Sequence, residues 1–239
     1  ALCSLNACAG LFGFGGTNWK EEVLLHDGQK IVVERHSSRG GRHELTQGPP
    51  IKEQSVTFSV PGSDRSIVWK SEYSQDVGRA NFNLRAVHVL NGTPYIVAEP
   101  NLCLAYNKWG RPNPPYVFFR YDGKSWQRVP LEEFPAEFKE MNVVISIDNY
   151  DMFSTIDRYP VIPASVVKDL NRSLTQPEYK AILREPIKRD GWDGCPEMIP
   201  YGNGGWLGVD WFTDHPTKEA CIRFCDQKGV EPRNCPCEK

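Results

Sequence analysis

The chain lacks any long apolar run. No stretch approaches the roughly 18–20 consecutive apolar residues that cross a bilayer, so the sequence predicts no membrane-spanning helix. Strong charge of either sign is missing as well: 28 Lys and Arg stand against 30 Asp and Glu, a net charge of −2. That balance offers no electrostatic footprint for nucleic acid. The richest basic run, residues 35–42, sets Arg35, Arg39 and Arg42 among serines and glycines with Glu44 close behind. It reads as a solvated hairpin loop. His26, His36, His43, His88 and His215 form no metal-ligand spacing, and no nucleophile elbow, phosphate loop or dinucleotide fingerprint is present. Residues 148–151, Asp-Asn-Tyr-Asp, offer oxygen ligands without the repeated acidic spacing of a calcium loop. No cofactor and no metal is therefore expected.

Cysteine, by contrast, is plentiful and unevenly placed. Of 8 cysteines, Cys3 and Cys8 sit in an apolar start, Cys103 stands alone, and Cys195, Cys221, Cys225, Cys235 and Cys237 crowd the end. Such usage fits an oxidising compartment, where cross-links persist. Cys235 and Cys237 are too close to bridge each other comfortably, and either can reach back to a helix carrying Cys221 and Cys225. Two bonds from that helix to the tail are expected, with Cys103 left to pair with Cys195. A zinc site of the four C-terminal thiols is the competing reading, at a spacing unlike the familiar zinc pairs.

Residues 5–8, Leu-Asn-Ala-Cys, resemble the lipobox of bacterial lipoproteins, with Cys8 as the lipidated residue and Asn6 as a departure from the pattern. Two alternatives stand beside it: an ordered N-terminus with Cys3 and Cys8 in disulfides, or a short apolar strand. Residues 1–16 are accordingly read as a signal remnant or tether.

From residue 17 to 150 the signal is the antiparallel hairpin. Residues 22–35 flank Asp27-Gly28, residues 55–73 flank Pro61-Gly62-Ser63-Asp64, residues 81–98 flank Asn91-Gly92, and residues 116–129 flank Asp122-Gly123. The three two-residue signals predict type I′ turns. Alternation at Val56, Phe58, Val60 and at Phe82, Leu84, Ala86 predicts one buried face per strand. The fold class is thus mainly β, an antiparallel hairpin-rich sandwich or barrel-like domain. Residues 142–147 read as one more strand. Residues 151–239 read as a small α-helical, disulfide-stapled C-terminal region. Helices are expected over 163–170 and 177–184 and from Pro216 to Lys228, the last capped by Thr213 or Asp214 and stopped by Gly229.

Aromatic residues supply the candidate contact surface. Residues 106–116 carry Trp109, Arg111 and Tyr116 among prolines, and Trp192, Trp206 and Trp211 ride a glycine-rich stretch. Exposed Trp and Tyr on loops anchor proteins, glycans or Pro-rich peptides; packing between the two halves of the chain is the alternative.

Several stretches resemble a family of secreted or lipoprotein-like proteins of Gram-negative bacteria. They are residues 20–45 with their Leu-His-Asp-Gly hairpin, 70–81, 106–135 and 177–186. The resemblance runs from about residue 8 to 195 and omits the cysteine-rich end. It implies an envelope or secreted location and carries no catalytic residues. The expected function is binding or structural, toward a protein or glycan of the envelope, with the membrane surface as a further partner if Cys8 is acylated. A hydrolase of envelope polymers and a metal-binding protein using the C-terminal cysteines are the alternatives.

Overall fold

A computed structural model describes residues 16–44, 47–147, 150–188, 194–202 and 204–238. It is mainly β. Strands β1 (Thr17–Leu24), β2 (Lys30–Arg39), β3 (Ile51–Ser59) and β4 (Ser66–Lys70) form one antiparallel sheet in sequential order. A short β5 (Tyr73–Ser74) and β6 (Arg79–Ala80) lead to β7 (Phe82–Leu90), β8 (Thr93–Pro100), β9 (Val117–Tyr121) and β10 (Trp126–Val129), a second sequential sheet. The two sheets share one core, in which Val33, Val56, Phe58 and Trp69 from the first meet Phe82, Leu84, Ile96 and Phe119 from the second.

Turn chemistry separates the three expected type I′ hairpins. Asn91 and Gly92 both take positive φ, 50° and 75°, and join Leu90 directly to Thr93 as expected. The other two turns are longer. Asp27 accepts a hydrogen bond from Gln29 N and Asp122 accepts from Lys124 N and Ser125 N. A carboxylate folded onto the following amides holds the aspartate in a right-handed turn, so only the glycine turns left-handed.

The expected alternation also breaks at one residue. Leu84 faces Ala98 and Ala86 faces Val97, leaving Arg85 as a bulge in β7. An inserted residue reverses the parity of every side chain after it. Phe82 and Leu84 face the shared core, but Val87 and Val89 take over that role. Ala86 turns to the opposite face, correcting its assignment to the Phe82–Leu84 face. Arg35, expected in a solvated loop, is likewise buried, because it follows Ile31 and Val33 on the inward face of β2.

The second sheet is apolar on both sides, and the chain after β10 covers its outer face. Phe134, Phe138 and Ile182 pack onto Tyr95, Val97 and Phe118 there. Arg184 secures this cover by donating to the carbonyls of Leu131, Phe134 and Pro135. The next segment closes the seam between β1 and β7. Asn142 accepts from Val87 N at 2.9 Å and donates to Val87 O at 2.8 Å and Leu24 O at 3.1 Å. Asn171 similarly accepts from Ile145 N and donates to Val143 O. Residues 142–147 are therefore not the expected ladder strand; side-chain amides take the place of a neighbouring backbone. Ile162 extends the edge of β1 through paired bonds with Glu22 N and Lys20 O, which covers an otherwise open strand.

Helices α1 (Leu102–Lys108), α2 (Tyr150–Arg158), α3 (Ala164–Leu170) and α4 (Pro177–Lys180) lie around this frame. Helix α4 is shorter than expected because Ala181 turns extended to bridge Glu140. A boundary near residue 150 marks no break in packing: Met152, Ile162 and Val167 pack with Trp19 of β1. A separate small core does form near the end, from Ile199, Phe212, Cys221, Cys225, Val230 and Cys235. It is built on β11 (Met198–Tyr201), β12 (Gly205–Gly208), α5 (Asp210–Thr213) and α6 (Lys218–Lys228). The cap of α6 is Thr217, which accepts from Ala220 N, rather than Thr213 or Asp214, whose segment forms or follows α5. Gly229 ends it at φ 65°, as expected.

One charged pair is sealed inside the sandwich. Glu21 accepts from Arg35 at 2.7 Å and from Trp19 Nε1 at 3.1 Å, and Val144 N also points at its carboxylate. The Arg35 guanidinium lies 5.0 Å from the Trp19 ring. Both charged side chains have 1% or less of their surface exposed. Glu21→Ala, which strands the guanidinium, is expected to cost about 3–5 kcal/mol in urea denaturation. Replacing both residues by Met is expected to cost under about 1 kcal/mol or to stabilise. Equal losses in the two variants would show that the charge pairing is not what holds this site.

Candidate functional site: a basic-rimmed pocket at the sheet seam

The aromatic loop is not the exposed surface that its sequence promised. Tyr116 is buried at 3% exposure and its hydroxyl donates to Glu178 O, while burial pushes the phenol's pKa upward. Trp109 lies half-buried against Phe82, with ring centroids 4.5 Å apart, and closes one end of the shared core. Arg111 donates to Pro196 O and to Asn107. Trp206 donates its indole N–H to Asp76 O. Arg111 and Trp206 join the C-terminal module to the sandwich, while Tyr116 and Trp109 pack within the sandwich and its cover. Trp211 is exposed at 61%. Trp192 and Cys8 lie outside the described residues.

The six cysteines from Cys103 onward pair as expected, while Cys3 lies outside the described residues. Cys103 bonds to Cys195, with Cα atoms 5.1 Å apart, and fixes the start of the C-terminal module beside α1. Cys221 bonds to Cys237 and Cys225 to Cys235, which ties α6 to the tail in the one of two possible registers that the sequence left open. The three sulfurs of Cys225, Cys235 and Cys237 lie within 4.8 Å of one another. Joined in disulfides, they present no thiolate to a zinc ion.

A pocket of about 290 Å³ opens where the covering layer meets the β1–β7 seam. Its floor is apolar, made by Leu24 at the end of β1, Met141, Ala164 and Val167. Leu24 is 42% exposed although it ends a core strand. The rim is basic. Lys168 and Arg172 come from the end of α3 and the turn after it, and Lys180 from α4. Glu140 is the acidic residue on the lining. Arg172 is partnered by Asp169, and Lys180 donates to the backbone carbonyl of Arg172 at 2.8 Å. Asn142 and Asn171 form the wall between, their amides spent on backbone groups.

Residue-by-residue reading missed this site. Helices over 163–170 and 177–184 are expected for their apolar stripes, and that pattern assigns no role to Lys168 or Lys180. The signal in the sequence is three cations within thirteen residues, 168 to 180, interspersed with Asp169 and Glu178. What joins them is the tertiary amide network of Asn142 and Asn171, which no local pattern announces.

The histidines do not gather around a carboxylate. His36 contacts Asn18, His43 the Gly41 carbonyl, and His88 the Glu140 carbonyl; among the described residues no histidine bonds to a carboxylate side chain. His88 stacks on Phe138 at 4.4 Å and 9°, with His26 edge-on to the same ring. Its Nδ1 is buried and unpartnered. Burial holds its pKa down to about 4. Below the unfolded value near 6.5, the unfolded chain takes up a proton that the folded chain refuses, so stability falls as pH drops from 6.5 toward 4. The loss is expected to reach about 3 kcal/mol. Urea denaturation of His88→Phe across that range should show a flatter profile; an unchanged slope would assign the acid sensitivity to other groups.

No protein-family model, curated protein or solved structure matches this chain, so what the pocket can do has to be read from its own side chains.

Proposed function

We propose that this chain works outside the reducing cytoplasm, in the bacterial envelope or secreted, as a non-enzymatic binding module. Three disulfides support that location, since such bonds persist where thiols are not kept reduced. No helix among the described residues is long and apolar enough to cross a membrane. An acylated Cys8 would hold the sandwich at a membrane surface without any spanning helix.

The pocket at the β1–β7 seam carries the binding role. It combines an apolar floor with a few convergent polar groups, the make-up of small-molecule sites. Its wall is pinned by buried amides, so the cavity is preformed and binding costs little reorganisation. The tightly bonded sandwich and disulfide-tied end serve as its scaffold.

Methyl NMR of the oxidised protein with a small-molecule extract of bacterial envelopes tests the reading. Shifts confined to Leu24, Met141 and Val167 are expected. Shifts confined to the region of Trp109, or none at all, would overturn it.

A further inference from the structure

We propose that the seam pocket binds a small anionic amphiphile, a molecule with one carboxylate or phosphate head and a short apolar body. This inference rests on the binding-module reading and names the ligand class for the same site. Charge decides the head. Lys168, Arg172 and Lys180 line the opening; with Arg172 spent on Asp169, two lysines still stand against Glu140, the acid on the lining. An anion arriving there gains charge-assisted hydrogen bonds from donors already gathered on one rim, whereas a cation meets a net positive field.

The floor decides the body. Leu24, Met141 and Val167 offer no hydrogen-bonding side chain, and the polar atoms of Asn142 and Asn171 are committed to backbone partners. A sugar or a free phosphate would leave its inner polar atoms without partners; an alkyl or aryl group would not. Size sets the length. A cavity of about 290 Å³ lies just below the range of about 300–1,000 Å³ that holds drug-sized ligands, which points to a short chain rather than a whole diacyl lipid. The mobile thioether of Met141 suits a floor that adapts to more than one apolar shape.

Methyl NMR titration of the oxidised full chain with four probes tests the class. Octanoate and octyl phosphate should each shift the Leu24, Met141 and Val167 methyls saturably, and the tighter of the two identifies the head. Octanol and inorganic phosphate should each bind at least about tenfold more weakly. The double variant Lys168→Glu, Lys180→Glu should weaken octanoate by about tenfold or more, while Glu140→Gln should tighten it roughly twofold or more. All three positions are exposed, and thermal unfolding checks that the variants fold. Octanol binding as well as octanoate, inorganic phosphate binding as well as octyl phosphate, or indifference to the charge variants would each overturn the proposal. Silence from all four probes while an envelope extract still shifts these methyls would reject the ligand class and leave the binding role standing. Silence from both would reject the two together.

Discussion

The outer face of the second sheet is the constraint on which the rest of the molecule turns. Strands β8 and β9 alternate between two apolar faces: Ile96, Ala98, Val117 and Phe119 point into the sandwich, while Tyr95, Val97 and Phe118 point away. A two-layer fold would leave that second set in water. Residues 131–141 and 182–183 cover it. Fully burying a side chain such as Phe134 or Phe138 is worth about 1.5–3 kcal/mol, against roughly 0–1 kcal/mol for an exposed ion pair such as Lys20–Glu34. Apolar burial therefore holds this layer more strongly than any exposed ion pair does.

The cover has consequences beyond packing. Running from the outer face of one sheet to the open edge of the other, the chain crosses the β1–β7 seam. There it cannot join either ladder, so Asn142 and Asn171 satisfy the stranded backbone groups with their amides. The seam pocket is what remains between that crossing and α3. The candidate site is a by-product of how the third layer is fastened.

Strands and turns were legible in the sequence because their signals are local. Val56, Phe58 and Val60 alternate as written, and Asn91-Gly92 closes the turn its dipeptide demands. The disulfides were legible from spacing and count, apart from the register of the last two. What escaped had non-local causes. Arg85 at the bulge pairs with Glu99 across the ladder, and no alternation pattern shows where parity will flip. Tyr116 and Trp109 look like loop aromatics until the partner surfaces that bury them arrive from residue 178 and from the far strand β7. Glu21 and Arg35 look like surface charges until α2 and residue 144 close over them.

The sandwich's two ends are built differently, and this bears on function. Tight turns close one end of the sandwich, while long connections and the disulfide-tied module crowd the other, fastened by Cys103–Cys195 and by Asn107 and Asp76. No residue of the module lines the pocket. The claim that sandwich and cover form a single cooperative unit is tested most directly by native-state hydrogen exchange. If the account is right, the amides of Val87, Val144, Ile145 and Ile182 exchange with one common free energy, that of global unfolding. Exchange at Val144, Ile145 and Ile182 at a free energy several kcal/mol below that of Val87 would show a cover that opens by itself, and would contradict it.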